Sequence, residues 1–163
     1  GAGGSIGTHA VQLAKHIGAR ITAVDRIEKR EMVESIGADH FIDYLSEDYS
    51  SKGKSYDVIF DVTGKSSIRN ILKTLKINGR FLDLNPTFSK FVGKLFVGMA
   101  GGKKIIVGGA KRESHELIYL RNLTETGILK PVIDKTFTLA EMAAAHSYCE
   151  SGLKQGHVTI KVH

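Results

Sequence analysis

The sequence has few of the residues that define several common protein classes. It contains no tryptophan, two prolines and a single cysteine, Cys149, among 163 residues. One cysteine excludes an internal disulfide and a zinc site built from cysteines. No apolar stretch approaches the roughly 20 residues of a membrane-spanning helix. These absences predict a cytoplasmic protein that makes no contact with a membrane.

Several catalytic signatures are also absent. No tyrosine is followed by a lysine four positions later. The seven histidines show no His-x-x-x-His or comparable ligand spacing. We therefore predict no catalytic residue and no bound metal within this chain.

The charge balance is basic, with a formal net charge of +6. The basic residues are spread along the chain, and the aromatic residues do not interleave with arginine as they do on RNA-binding surfaces. We therefore expect no nucleic-acid partner. An anionic small molecule, or an acidic domain outside this sequence, explains the charge as well.

Helix and strand patterns alternate along the chain. Strands are predicted at 20–25, 40–44, 56–62, 80–84, 104–107, 131–137 and 157–162. Helices are predicted at 6–17, 28–36, from a cap at Ser66 to a stop at Asn78-Gly79, at 113–126, and at 138–151 behind a capping-box signature. The basic amphipathic segment at 88–99 is predicted to be a helix that packs over the site or against a partner, rather than one that lies on a membrane surface. This alternation predicts one α/β domain over 1–163, with a doubly wound parallel sheet.

A glycine-rich turn opens the sequence. Its glycines at 1, 4 and 7 give Gly-x-x-Gly-x-x-Gly rather than the stricter Gly-x-Gly-x-x-Gly. Such a turn lets the backbone approach a phosphate and points a helix N-terminus at it. A flexible terminal turn is the alternative. The helix and strand that follow favour a dinucleotide site.

Asp25 ends the first predicted strand, eighteen residues after Gly7. An acid at this place can accept hydrogen bonds from both ribose hydroxyls of an adenosine, which favours NAD(H), although it can also cap the next helix. Arg26, Lys29 and Arg30 could instead pair with the 2′-phosphate of NADP(H), or form a solvated helix face. Because Asp25 would repel such a phosphate, we predict NAD(P)(H) with a slight preference for NAD(H).

Three later strand ends carry turn residues. They are Thr63-Gly64, Asn85-Pro86 and Gly108-Gly109. In a doubly wound sheet, ligands bind at the carboxyl ends of the strands. Gly64 would let the chain turn beneath the adenosine, and Thr63 offers a hydroxyl. Ordinary turn chemistry explains each pair as well.

Seven segments together carry a family pattern. They are the glycine-rich turn with its Ala-x-Gln-x-Ala-Lys helix at 1–15, and the segments 35–40, 42–44, 56–61, 129–134, 144–146 and 156–158. In these the chain resembles the cofactor-binding domain of the medium-chain dehydrogenase/reductase superfamily, in its zinc-type alcohol dehydrogenase and quinone oxidoreductase branch. The resemblance covers essentially the whole chain and implies a Rossmann-like fold.

The resemblance also assigns roles to residues of this sequence. It implies a pyrophosphate site at Gly4, Ser5, Ile6 and Gly7. Asp25 matches the acid that NAD-using members place on the ribose, whereas Lys29 and Tyr44 match positions that some quinone-reductase-like members use for the 2′-phosphate. Asn85 and Gly109 fall where such enzymes approach the nicotinamide.

Family members are NAD(P)-dependent oxidoreductases that transfer hydride between nicotinamide and an alcohol, carbonyl, quinone or enone. They carry an N-terminal catalytic domain of about 130–150 residues, a typical domain size. That domain and the first Rossmann strand are not in this sequence. We therefore expect a cofactor-binding part that is inactive alone, whose segment 131–163 packs toward the absent, substrate-binding domain. The resemblance also implies a homodimer through the strand at Lys104–Val107.

Two other functions are compatible with the residues. A non-catalytic dinucleotide-binding or sensing module would need the same glycine-rich turn. A methyltransferase is suggested by the segment Tyr56–Asp61, although the tail lacks the antiparallel hairpin of that fold.

Overall fold

A computed structural model describes residues 1–51, 53–85, 102–107 and 113–162. Every pair of neighbouring strands in it is parallel. Helices and strands alternate, which confirms the predicted α/β class. The chain divides into two compact units, one formed by Gly1–Leu45 with Glu113–His163 and the other by Ser46–Arg112.

The elements follow one another in chain order. They are α1 (Ser5–His16), β1 (Thr22–Asp25), a 3₁₀ turn (Ile27–Lys29), α2 (Arg30–Ser35), β2 (His40–Asp43), β3 (Tyr56–Asp61), α3 (Ile68–Thr74), β4 (Leu75–Asp83), β5 (Lys104–Val107), α4 (Ser114–Glu125), β6 (Ile133–Thr138), a second 3₁₀ turn (Leu139–Glu141), α5 (Met142–Glu150) and β7 (His157–Lys161). Among the described strands, hydrogen bonds form the sheets β1-β2, β3-β4-β5 and β6-β7.

The first unit has its core between α1, α2 and β1. Val11, Ala23, Val33 and Ala38 are buried there. Burial alternates along β1, so that Asp25 lies on the same buried face of the strand as Ala23. The carboxylate that ends β1 therefore faces inward.

The tail of the first unit begins as the sequence predicts. Thr138 and Glu141 form the expected capping box: the backbone N–H of Thr138 donates to Glu141 Oε2 at 2.8 Å. The helix α5 follows, and β7 then pairs with β6 in parallel. A side-chain hydrogen bond of 2.8 Å between Thr136 and Thr159 joins the two strands.

The second unit has its core on one face of β3-β4-β5. Ile71 from α3 packs there against Leu75, Phe81 and Ile105. On the opposite face of the sheet Val58, Phe60 and Ile106 are exposed.

The structure corrects two predicted helices. The helix predicted to run from Ser66 to Asn78-Gly79 ends at Thr74, and Leu75 begins β4. Leu75 pairs with Tyr56 of β3, and a register shift in β4 accommodates the extra residues, so strand pairing overrides local helix propensity. The helical cap is Ser67, whose side chain accepts from the N–H of Asn70.

The second correction concerns the predicted helix at 28–36. It divides into the 3₁₀ turn Ile27–Lys29 and the short helix α2. The amphipathic segment predicted at 88–99 lies outside the described residues. Within the described ranges, no helix is both long and apolar enough to span a bilayer.

Candidate functional site

The glycine-rich turn leads directly into helix α1. The first helical hydrogen bond runs from the N–H of Thr8 to the carbonyl oxygen of Gly4, at 2.9 Å. The N–H groups of Ser5, Ile6 and Gly7 therefore belong to the first turn, where an α-helix offers donors without helical acceptors. A Cβ at Gly7 would overlap the carbonyl oxygens of Gly1 and Ala2, so the turn needs glycine at this position. This arrangement can receive an anionic oxygen.

Asp25 is enclosed beneath this turn. Its side chain is 7% exposed. The N–H of Gly3 donates to Oδ2 at 2.7 Å, and the N–H of Arg26 donates to Oδ1 at 2.9 Å. The amino nitrogen of Gly1 lies 3.8 Å from Oδ2. The carboxylate thus holds two backbone segments together, and the predicted contact with ribose hydroxyls stays a prediction.

Lys29 is buried beside Asp25. Its side chain is 9% exposed, and its Nζ lies 3.7 Å from Asp25 Oδ1. Tyr44 differs, because its side chain is half exposed where β2 ends and its N–H donates to the carbonyl oxygen of Asp25 at 3.2 Å. The structure therefore brings Asp25, Lys29 and Tyr44 together, but only the tyrosine side chain is open to solvent.

The tail of the chain contacts the glycine-rich turn. Gly156 donates its N–H to the carbonyl oxygen of Gly3 at 2.8 Å and forms a parallel bridge with Gly4. The hydroxyl of Ser5 donates to the carbonyl oxygen of Gly156 at 2.9 Å. Lys154 reaches the same place: its Nζ lies 2.7 Å from Ser5 Oγ and 2.9 Å from the carbonyl oxygen of Gly156. A cation from the tail therefore lies at the first residue of α1.

Two histidine rings, one in α1 and one at the start of β7, lie against each other near this turn. The rings of His9 and His157 have their centroids 4.8 Å apart. Burial lowers the pKa of His157, and the nearby His9 and the Lys154 ammonium lower it further. The ammonium of Lys154 therefore disfavours protonation of the His157 imidazole, and a bound anion would offset that repulsion.

Sequence reasoning did not find Lys154. It lies 149 residues from Ser5, and helical or strand periodicity carries no signal for a contact of that range. The only local signal is its position two residues before Gly156, in the segment that leads into β7. A lysine so close to a strand that returns to the turn is a candidate anion ligand.

In the second unit, Asp61 organises the turn after β3. Oδ1 accepts the N–H groups of Thr63 and Gly64, each at 2.9 Å, and the hydroxyl of Thr63 at 3.0 Å. Oδ2 accepts the N–H of Ser66 at 2.9 Å. Burial raises the pKa of Asp61, but the hydrogen bonds from Ser66, Thr63 and Gly64 outweigh it and lower the pKa well below the usual value. The Thr63 hydroxyl predicted to meet the cofactor thus donates to Asp61.

Gly64 and Asn85 lie together beside this turn. Gly64 has φ +72°, and a Cβ there would overlap the carbonyl oxygen of Asn85. The side-chain amide of Asn85 donates to the carbonyl oxygen of Val62 at 2.8 Å. The structure therefore joins the ends of β3 and β4, and the cofactor contacts predicted for these strand ends stay predictions. Gly109 lies outside the described residues.

The described part of the chain offers no metal site. Within it, no group of three or more histidine, cysteine, aspartate or glutamate side chains is placed to hold an ion. The donor set present there does not fit zinc.

The comparisons with known proteins decide the family. A family model described as zinc-binding dehydrogenase matches residues 36–160. The chain belongs to the zinc-binding dehydrogenase family. Over 164 residues it is 32% identical to the NADPH-dependent alkenal/one oxidoreductase, chloroplastic, of Arabidopsis thaliana, with 98% of this chain and 38% of that protein covered. Over 164 residues it is 30% identical to the 2-methylene-furan-3-one reductase of Solanum lycopersicum, again covering 98% and 38%.

Solved structures agree on the fold of this zinc-binding dehydrogenase domain. The quinone oxidoreductase from Coxiella burnetii superposes with a TM-score of 0.86 at 24% identity, covering 99% of this chain and 51% of that one. The Rossmann-like architecture and the family resemblance predicted from the sequence are thereby confirmed. The chain spans about two fifths of the length of the two curated relatives named above.

Proposed function

We propose that the chain is the cofactor-binding part of an NAD(P)-dependent oxidoreductase. The observation that carries the proposal is the glycine-rich turn at the start of α1, held by Asp25 on one side and by Gly156 on the other. Membership in the zinc-binding dehydrogenase family supports it, and so does the name of the plant relative, an NADPH-dependent oxidoreductase.

The residues of the turn fit a dinucleotide pyrophosphate. The N–H groups of Ser5, Ile6 and Gly7 would bind its oxygens, because a helix N-terminus stabilises negative charge. Lys154 would add a charge-assisted hydrogen bond from the ammonium that now donates toward Ser5. The roles predicted for Thr63, Gly64, Asn85 and Gly109 stay predictions, as do those of Asp25, Lys29 and Tyr44 at the adenosine ribose.

A bound nicotinamide cofactor supplies hydride chemistry, and the protein supplies binding and orientation. This chain would therefore fix the pyrophosphate so that the nicotinamide ring meets the substrate in one geometry. The predicted preference for NAD(H) over NADP(H) requires that the carboxylate oxygens of Asp25 can accept hydrogen bonds from the ribose hydroxyls.

For the substrate we propose an electron-poor alkene or a quinone. The names of two relatives support this class, since an alkenal and a 2-methylene-furan-3-one both carry a carbon–carbon double bond conjugated to a carbonyl. Alcohols and carbonyls are the second class that the family resemblance allows. The substrate pocket, a cytoplasmic location and a homodimer through β5 remain predictions.

The test is a binding and turnover assay on the purified protein. NADPH and NADH are titrated first, with adenosylmethionine as the competing ligand class. Oxidation of the better reduced cofactor at 340 nm is then followed with an enone, a quinone and an aldehyde. We expect binding of a reduced dinucleotide and no binding of adenosylmethionine.

The assay separates the competing functions. Dinucleotide binding without turnover is the result expected of a cofactor-binding part that is inactive alone, whereas robust turnover by this chain would contradict that expectation. Binding of adenosylmethionine with no binding of either dinucleotide would overturn the proposal.

A further inference from the structure

His9 and His157 lie against each other beside the first turn of α1. His9 is four residues after Ser5, which places both on one face of the helix. His157 follows Gly156, whose carbonyl oxygen accepts from the Ser5 hydroxyl. The ring centroids of the two histidines are 4.8 Å apart, and their planes are inclined by 55°. Two imidazoles are therefore fixed next to the helix end that would receive the pyrophosphate.

The surroundings of His157 favour the neutral ring. Its Nε2 is buried and has no hydrogen-bond partner among the described residues, so a proton on this atom would be a buried donor without an acceptor. Burial lowers the pKa of His157, and the His9 ring and the Lys154 ammonium lower it further, whereas the backbone of Ser5 raises it. The lowered pKa keeps the ring neutral at pH 7.

The strand that pairs with β7 is β6, and it places Ile133 opposite His157. The acid of this strand, Asp134, accepts from the hydroxyl of Tyr148 at 2.7 Å, and Lys135 Nζ lies 4.0 Å from the centroid of the Tyr148 ring. The charges of β6 are thus engaged by Tyr148. The groups that act on the His157 ring come instead from α1 and from the segment before β7.

An anion at the start of α1 would change this balance. Lys154 makes no ion pair with a described residue, because its Nζ contacts only Ser5 Oγ and the carbonyl oxygen of Gly156. A dinucleotide pyrophosphate would neutralise the ammonium and bring negative charge close to the two rings, and a nearby negative charge favours a protonated imidazole. Binding and protonation are linked, so an anion that favours the proton is bound more tightly when the proton is present.

We propose that dinucleotide binding takes up one proton from the buffer at His157, so that the protein binds its cofactor more tightly in mildly acidic than in alkaline solution. The proposal rests on the proposed dinucleotide function and adds to it a regulation by pH. The complex has the higher pKa of the two forms. The gain in affinity is therefore complete below the pKa of the free protein and is lost as the pH rises through the pKa of the complex.

The experiment measures the dissociation constant of NAD⁺ for the purified protein between about pH 5.5 and pH 8. NAD⁺ is the probe because it lacks the 2′-phosphate of NADP⁺, whose own ionisation near about pH 6 would add to the proton uptake. The variant is His157→Gln, which keeps a polar side chain and removes the titration. The matched control is His16→Gln, because His16 is an exposed histidine at the other end of α1.

We expect the wild type to bind NAD⁺ about three- to tenfold more tightly at the acidic end of this range, the usual size of a coupling between nearby charges. The affinity of His157→Gln should change by less than about twofold, and His16→Gln should match the wild type. Calorimetry in two buffers of different ionisation enthalpy counts the protons taken up. A ¹H NMR titration of the His157 ring in the wild type, with and without NAD⁺, gives its pKa directly and carries the test if His157→Gln does not fold.

Three results would overturn the proposal. A wild-type affinity that is the same across the range would show that no proton is linked to binding. A pH dependence that persists in folded His157→Gln would assign the proton to another group. An equal pKa of His157 with and without NAD⁺ would exclude its ring as the acceptor of the proton.

Failure of the proposed function gives a different result. If the wild type binds no NAD⁺ at any pH, the proposed function fails, and titration of the His157 ring with inorganic pyrophosphate decides the linkage. A pKa raised by pyrophosphate would support the linkage, and an unchanged pKa would overturn it.

Discussion

Gln12 and Lys130 exchange two hydrogen bonds across 118 residues of sequence. The backbone N–H of Lys130 donates to Gln12 Oε1 at 2.8 Å, and Gln12 Nε2 donates to the carbonyl oxygen of Lys130 at 2.9 Å. A side-chain amide thus pairs with the backbone as a neighbouring strand would. It ties α1, which begins at the glycine-rich turn, to the start of the tail.

Gln12→Ala should destabilise the first unit. It removes both partners of the Lys130 backbone, which should lower the free energy of unfolding by about 1–2 kcal/mol. Chemical denaturation measures the change. The control is Gln155→Ala, because the Gln155 side chain makes one exposed hydrogen bond of 3.3 Å to the carbonyl oxygen of Glu28. Equal losses of unfolding free energy in the two variants would show that the two hydrogen bonds of Gln12 stabilise the fold no more than the exposed one of Gln155.

Lys154→Ala should weaken cofactor binding. The ammonium lies 2.7 Å from Ser5 Oγ at the start of α1, so its removal should raise the dissociation constants for NADH and NADPH by about three- to tenfold. The salt dependence of binding should also become weaker, since one cation fewer faces the pyrophosphate. Lys161→Ala, at the far end of β7, is the control. Calorimetric titration at two salt concentrations gives both quantities, and similar values for the two variants would contradict the role of Lys154.

Asp61 should make the second unit sensitive to acid. Its pKa in the fold lies below the unfolded value of about 3.9, so its stabilising effect is complete above that pH and is lost as the pH falls toward the lower folded pKa. Asp61→Asn should cost about 1–3 kcal/mol at neutral pH, because the turn loses acceptor capacity.

Thermal unfolding between pH 2.5 and 7 tests this expectation. The wild type should lose stability below about pH 4, and Asp61→Asn should lose less over the same interval. Asp57→Asn is the control, since Asp57 is exposed and pairs with Lys76 at the surface. An identical acid dependence of the wild type and Asp61→Asn would refute the assignment.

Two glycines of the second unit allow the cost of a left-handed backbone to be measured separately from the cost of a steric overlap. Gly53 has φ +65° and open space where a Cβ would lie, whereas Gly64 has φ +72° and faces the carbonyl oxygen of Asn85. Gly53→Ala should therefore cost about 1 kcal/mol, from the left-handed backbone alone. Gly64→Ala should cost about 1–3 kcal/mol more, because the added methyl group forces the two strand ends apart. Denaturant titration of both variants measures the difference, and equal losses would argue against the close approach.

Much of the fold is predictable because it is local. The capping box at Thr138 and Glu141 needs two residues at a fixed spacing, and the sequence displays both. The strand β5 and the helix α1 likewise follow from short apolar patterns. Leu75 shows the limit: the same apolar residue suits a helix end or a strand start, and only its pairing with Tyr56 decides between them.

The candidate site is predictable only in part. The glycines at positions 4 and 7 identify the turn from the sequence, because the helical pattern of α1 follows directly. The direction of Asp25 depends on which face of β1 is buried, and the position of Lys154 depends on a contact with Ser5 across 149 residues. The direction of Asp25 has no signature in the sequence around it, and the only local signal for Lys154 is its position two residues before Gly156. Tertiary packing therefore decides which of the predicted charges can meet a ligand.

Dinucleotide binding at the glycine-rich turn is tested most directly by mapping NADPH and NADH onto backbone amides by ¹H–¹⁵N NMR. The expected result is a set of saturable shifts that are largest at Ser5, Ile6 and Gly7, whose N–H groups form the N-terminus of α1, with a smaller change at Gly156, whose N–H donates to Gly3. Saturable shifts that leave the amides of Ser5, Ile6 and Gly7 unmoved, or no shift with either cofactor at millimolar concentration, would contradict it.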